Sequence, residues 1–329
     1  MKIGFHTASF LTNNGYGLVG YHVVREMQAM GIQVPFQDTT APALLQFTQP
    51  HNWIEWGEGQ YRIGYAPWES SEFPPGWVEA INETDEFWTT SDLCKQWYEE
   101  AGVKVPIHIY HHGIDHDLWR PALRRPSKRI KFLHNGGRAP RKGGQQAFDA
   151  FRAAFGDKDD VEFVIKTIGY TNIRSTMPGL GIQKPTIHKN VTLHRNDMPW
   201  DELPGFYREN HVMVMNSWAE GFGLPGLEGM ATGMPTILNP TWAPYRHHAI
   251  DELKLDTKVI ESPWQHIHPG KIYQSDFDDL VDKYRYVYEN IDDLCRKAYE
   301  QAPKVHAEFD WPRLTKERFQ PVLDKINPK

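Results

Sequence analysis

The chain has 329 residues, 40% hydrophobic and 24% charged, with 36 Lys and Arg against 42 Asp and Glu for a formal net charge of −6. These are ordinary globular values, so disorder is excluded, and the acidic balance excludes a general nucleic-acid coat or a polybasic membrane binder. The two cysteines, Cys94 and Cys295, form no disulfide framework, and no apolar run approaches the roughly 18 residues of a membrane span; with no apolar leader after Met1, a reducing, cytoplasmic location is expected.

In chain order, residues 2–7 read as a strand. A polar loop follows, Asn13-Asn14-Gly15-Tyr16-Gly17, then a helical pattern over 18–30 and a strand over 32–36. Strands are predicted again at 61–66, 87–90 and 107–110. Ser91 is read as the N-cap of a helix that Gly102 stops. After the Pro-bearing stretch 121–126 the same grammar restarts: strand 130–134, helix 142–155, strand 161–168. A long connection over 169–190 follows, then short strands at 191–194, 212–215 and 235–238 with helices between. Strands alternating with helices imply α/β architecture, here two doubly wound parallel sheets. We place the first domain at 1–118 and the second at 119–303, with 304–329 as a tail.

Charge is uneven. From Arg120 to Lys142 stand nine cations and no carboxylate (Arg120, Arg124, Arg125, Lys128, Arg129, Lys131, Arg138, Arg141, Lys142), leaving 27 cations against 42 anions elsewhere. Such an island points to a local anionic ligand or to a solvated linker. In the tail, Leu314, Arg318, Val322 and Ile326 are spaced four apart and Phe319 and Leu323 widen the stripe. This is a helix with one largely apolar face, which Pro303 and Pro321 should interrupt.

The most informative segment follows the strand at 212–215: Asn216-Ser217-Trp218-Ala219-Glu220-Gly221-Phe222-Gly223-Leu224-Pro225-Gly226-Leu227-Glu228. Pro225 suits the first turn of a helix, and Gly221 and Gly223 allow a ligand close to the backbone. The N–H groups at the helix start suit an anion such as a diphosphate. Glu220 and Glu228 bracket that position. Carboxylates would repel a phosphate but accept hydrogen bonds from sugar hydroxyls.

This segment resembles the Glu-x7-Glu motif of retaining family 4 glycosyltransferases, whose fold is GT-B: two Rossmann-like domains facing a cleft, with the last helix crossing back to the first. The resemblance implies a transferase that moves a sugar from a nucleoside-diphosphate sugar, UDP- or GDP-linked, to an acceptor hydroxyl with the anomeric configuration kept. It assigns Glu220 to the sugar and Glu228 to the ribose. Gly221, Phe222 and Gly223 would lie against the sugar, and the Leu224 N–H would meet the phosphate. Upstream, Asn135-Gly136-Gly137-Arg138-Ala139-Pro140-Arg141-Lys142-Gly143 resembles the family's Gly-Arg…Lys-Gly segment, making Arg138 and Lys142 the clamp on the leaving diphosphate without a metal. Gly15, Tyr16 and Gly17 sit where the family has a Gly-rich loop, and Arg195 to Met198 where the base would lie.

The family's usual first-domain His is replaced here by the region Tyr65-Ala66-Pro67-Trp68-Glu69, so Glu69 is the candidate polar group beneath the acceptor, with His112 behind it. The acceptor is expected to be a glycan or lipid-linked sugar, with a hydroxymethylated DNA base as the alternative that the basic island would suit. Other chemistries open to the same fold are an epimerase, a phosphorylase or a non-catalytic sugar-nucleotide binder. Neither His247-His248 nor His266-x-His268 has a Cys or carboxylate set nearby in sequence, so no metal is expected.

Overall fold

The computed structural model describes residues 1–329 apart from 11, 13, 127, 137–138, 168–187, 195–197 and 328–329. It divides into two compact units. The first comprises Met1–Asp115, Glu261–Ile272 and Phe309–Lys329, and the second comprises His116–Ile260 and Tyr273–Glu308.

In the first unit the order is β1 (Ile3–His6), α1 (Gly15–Ala29), β2 (Ala43–Phe47), β3 (Tyr61–Tyr65), α2 (Trp77–Asn82), β4 (Glu86–Thr89), α3 (Asp92–Glu100) and β5 (Ile107–Ile109). The strands form one parallel sheet in the order β1-β2-β3-β4-β5. Two side chains start the helices by taking up orphan backbone donors. Asn14 accepts from Gly17 N at 2.9 Å, and Ser91 from Cys94 N at 3.2 Å.

One expectation fails here, and one strand is new. The strand over 32–36 is reduced to two isolated bridges to Lys2 and Phe5. Gln33 and Pro35 accept from Ile3 N and Phe5 N, at 3.0 and 2.9 Å, but Pro35 has no N–H to return, so the ladder breaks. On the other edge of β1 lies β2, which periodicity did not reveal. All five of its residues are buried, so no alternation marks it.

In the second unit β6 (Ile130–Asn135), α4 (Gly144–Phe155), β7 (Val161–Lys166), β8 (Val191–His194), α5 (Leu203–Arg208), β9 (Val212–Met215), α6 (Leu224–Ala231) and β10 (Thr236–Leu238) build a second parallel sheet in the order β10-β9-β6-β7-β8. Its core stacks Phe132, Phe151, Phe163 and Tyr284. β11 (Thr257–Glu261) and β12 (Lys271–Ser275) then form a two-stranded ribbon. The turn between them, expected within the second domain, groups with the first unit. It is tied there by Ser71 N to Lys271 O at 3.1 Å and Lys271 N to Ser71 Oγ at 2.8 Å.

The chain ends in α7 (Phe277–Glu308) and α8 (Trp311–Ile326). Neither Pro303 nor Pro321 ends a helix, and the non-helical residue within α7 is Asn290. A proline frees the carbonyl four residues back. For these two that is Tyr299 and Glu317, both exposed residues. The apolar stripe of α8 belongs to the first unit. Phe319 packs edge-on to Trp88 at 5.0 Å, Tyr110 Oη meets Thr315 Oγ1 at 2.7 Å, and Lys325 Nζ donates to the buried Glu86 at 2.7 Å. The last helix thus returns to the first unit. No helix among the described residues is long and apolar enough to cross a membrane.

Candidate active site

Two loops of the second unit leave the C-terminal ends of adjacent parallel strands, the position where open α/β sheets bind ligands. One runs from β6 to α4, the other from β9 to α6. They are stitched together. Trp218 N donates to Arg141 O at 2.7 Å, Asn216 Nδ2 to Gly143 O at 3.0 Å, and Trp218 Nε1 to Gln146 Oε1 at 2.9 Å. Gly143 is required there: its φ is +70°, and a Cβ would lie 2.6 Å from Asn216 Nδ2.

That stitching brings Lys142 to Glu220. Lys142 Nζ donates to Glu220 Oε2 at 2.5 Å. Arg141 Nη1 lies 3.5 Å from the same oxygen and donates to Ala219 O at 2.7 Å. Glu220 is 5% exposed. Burial alone would raise its carboxyl, but the Lys142 and Arg141 charges outweigh it and hold the group below the ordinary carboxylate range, so it is ionised. Arg141, for which the sequence implies no separate role, therefore shares the site with Lys142.

Glu228 sits on α6, 3% exposed. Its Oε2 accepts from Tyr207 Oη at 3.0 Å, and Tyr207 in turn accepts from Asn135 Nδ2 at 2.7 Å. Burial pushes the Glu228 carboxyl up to about 7, against the pull of the Tyr207 hydrogen bond and the Lys166 charge. Two carboxylates on one loop and helix thus have opposite tendencies, one fixed as an anion and one poised near neutrality.

Between them, Gly223 caps α6 at φ +83°, where a Cβ would collide with the Trp242 ring. Tyr245 Oη donates to Gly223 O at 2.5 Å and Trp242 Nε1 to Ser217 O at 2.7 Å. Phe222 and Gly221 are buried beside them, while Leu224 and Pro225, the first two residues of α6, are half-buried. Pro225 has no N–H to leave unpaired. At the end of β6, His134 is buried with Nδ1 3.2 Å from Val214 O. Burial pushes its imidazole down to about 4, despite that carbonyl, so it is neutral at pH 7. Tyr207, Trp242, Tyr245 and His134 carry no signal in the sequence because each looks like an ordinary core or strand-end residue, and Asn135 stands there only as the start of the Gly-Arg…Lys-Gly segment.

The other expected residues fall elsewhere. Arg138 and Arg195 lie outside the described residues, and Met198 is half-buried. Gly15, Tyr16 and Gly17 form the first turn of α1 in the first unit rather than a loop, with the Tyr16 ring 5.0 Å from Phe47. Glu69, also in the first unit, has Oε2 3.7 Å from His268 Nδ1. His112 is buried among Phe47, Tyr65 and Trp311, and burial pushes it down to about 3.

The basic island disperses. Arg124 is 5% exposed, and its guanidinium donates to the carbonyls of Asn210, Ala122, Thr232 and Tyr207 and to Thr232 Oγ1. Arg129 is tied to Asp159 O and Glu162, and Arg120 to Asp117. Arg125 and Lys128 of the same stretch are exposed.

Two parallel-sheet α/β units, with a Gly-rich turn, a buried carboxylate and a cationic partner at the strand ends of the second, define the GT-B fold class. Residues 115–257 match the family model for glycosyl transferases group 1. No curated protein matches the chain significantly. Solved structures similar over nearly the full length include sucrose-phosphate synthase from Thermosynechococcus elongatus, with 14% identity, 98% of each chain covered and a TM-score of 0.72. A second is HepE of Anabaena in complex with UDP-glucose, with 12% identity, 98% of this chain and 99% of that one covered and a TM-score of 0.73. A third is WaaG, a glycosyltransferase involved in lipopolysaccharide biosynthesis, with 12% identity, 99% and 100% covered and a TM-score of 0.67. Fold and family model together support a glycosyltransferase.

Proposed function

We propose that the chain is a metal-independent, retaining glycosyltransferase of the family 4 type, and that residues 216–228 are its Glu-x7-Glu segment. The carrying observation is the pair of buried carboxylates on that segment, Glu220 ionised against Lys142 and Arg141 and Glu228 held by Tyr207. Glu220 is set to accept from sugar hydroxyls and Glu228 from the ribose. Lys142, with Arg138, is assigned to the leaving diphosphate, whose growing charge needs fixed cations. The Leu224 N–H at the start of α6 suits a phosphate oxygen. Gly15, Tyr16 and Gly17 complete the donor-side set, Arg195 and Met198 take the base, and Glu69 is the polar group beneath the acceptor.

In this reading the acceptor oxygen bonds to the anomeric carbon on the face from which the diphosphate leaves. The acceptor proton passes to the departing phosphate oxygen, so no protein nucleophile is needed. UDP is the favoured nucleotide, because HepE, of similar fold, was solved with UDP-glucose. A glycan or lipid-linked sugar is the favoured acceptor, with a hydroxymethylated DNA base as the alternative.

The test is a thermal-shift screen of nucleoside diphosphates and their sugars, followed by a mass-shift screen of acceptors in chelator. Transfer with retained configuration is expected. Hydrolysis or epimerisation without any acceptor product, or activity that chelator abolishes and magnesium restores, refutes the proposal.

A further inference from the structure

Beside His247-His248 the sequence offers no Cys or carboxylate set, and the nearby Asp251 and Glu252 pair with Lys254 and Lys297, so a carboxylate for the pair must come from elsewhere. The fold supplies one from 60 residues away. Both imidazoles point Nε2 at a single oxygen, Glu308 Oε2, each at 2.7 Å. The two rings lie 4.2 Å apart, and the three potential ligand atoms fall within 4.8 Å of one another. We propose that His247, His248 and Glu308 form a binding site for a divalent transition metal of the zinc class, away from the residues assigned to sugar transfer.

Three features favour a cation there. The donor set is two imidazoles and one carboxylate, which suits zinc, and disfavours magnesium and calcium, which prefer all-oxygen sites. Ligand atoms about 2.1 Å from a tetrahedral centre lie about 3.4 Å apart, so the 2.7 Å pairs must open by less than about 1 Å. His247 is half-exposed on its short helical turn and can make that adjustment. Finally, Glu308 is the last residue of α7. A carboxylate at a helix C-terminus faces the negative end of the helix dipole, which disfavours an anion and favours a cation.

On binding, each Nε2 gives its lone pair to the metal, and its proton moves to Nδ1 or leaves to solvent. Water completes the coordination, since the described residues offer three ligands. The occupied site would join the end of α7 to the turn over residues 246–248. That turn follows Tyr245, whose hydroxyl holds Gly223 O at the head of α6.

The test uses the full chain at pH 7.5, freed of metal with chelator. Zinc is titrated against a chromophoric chelator, and cobalt is added separately to record the visible absorption of a low-coordinate site. The expected result is one tight zinc per chain, a cobalt band, and a rise in melting temperature that chelator reverses. His248→Ala and the milder Glu308→Gln should each weaken zinc at least by the about 10–100-fold that loss of an outer-shell partner costs. His266→Ala, at the other histidine pair, should not. Circular dichroism of each variant separates lost binding from lost folding. No stoichiometric zinc in the wild-type chain overturns the proposal, leaving a plain hydrogen-bonded cluster, and so does equal zinc affinity in folded Glu308→Gln. Because the readouts are binding and stability, they are independent of whether transfer itself is metal-free.

Discussion

Glu228→Gln should make the protein more stable and a poorer nucleotide binder, and the gain should depend on pH. Burial raises the Glu228 carboxyl from an ordinary 4.5 to about 7 in the folded state. Below pH 4.5 both states hold the proton and folding carries no extra cost. Between 4.5 and 7 the unfolded chain ionises while the folded one does not, so stability falls as pH rises. Above about 7 both are ionised and the loss is complete. The interval is about 2.5 pH units, and at 1.36 kcal/mol per unit the cost reaches about 3 kcal/mol. Gln keeps an acceptor for the Tyr207 hydroxyl but never ionises. Urea unfolding, followed by tryptophan fluorescence, should show the variant up to about 3 kcal/mol more stable at pH 8, with the difference vanishing near pH 4. Calorimetry at pH 8 should show weaker nucleoside diphosphate binding, because ribose hydroxyls lose an anionic acceptor. A stability difference that does not change with pH, or a variant less stable at pH 8, would refute the burial argument. Unchanged nucleotide affinity would remove Glu228 from the ribose.

Lys142→Ala should lower kcat on the order of 10²–10³-fold while donor affinity changes less, because its contact strengthens as charge builds on the diphosphate; a rise in KM at constant kcat, measured by steady-state kinetics, would make it a binding residue only. Gly223→Ala forces a side chain into the left-handed region at about 1–2 kcal/mol and into the Trp242 ring at about 1–3 kcal/mol more, so chemical denaturation should show a loss of several kcal/mol together with weaker donor binding. Phe319→Ala removes a fully buried ring from against Trp88 and should cost about 3–5 kcal/mol; a loss under 1 kcal/mol by the same assay would show that α8 contributes little to the first unit.

The sequence by itself determined the features that local chemistry controls. Alternating strands and helices announced the two parallel sheets. Gly and Pro around residue 223 announced a turn into a helix, and the four-residue spacing from Leu314 to Ile326 announced the apolar face of α8. The resemblance assigned Lys142, Glu220 and Glu228 to one site. What remained depended on which elements become neighbours. β6 lies beside β9 in the second sheet, and that adjacency sets Lys142 against Glu220 and adds Arg141. α5 delivers the Tyr207 hydroxyl to Glu228, and the end of α7 delivers Glu308 to two histidines. Arg124 reads in sequence like the cations around it, yet it is buried against backbone carbonyls. Pro35 reads as part of a strand, yet it stands where β1 needs a donor. A residue's type states what it can donate, accept or bury. Its partner is decided by long-range closure of the chain, and for a charged side chain that partner separates a solvated surface group from a structural tie or a site residue.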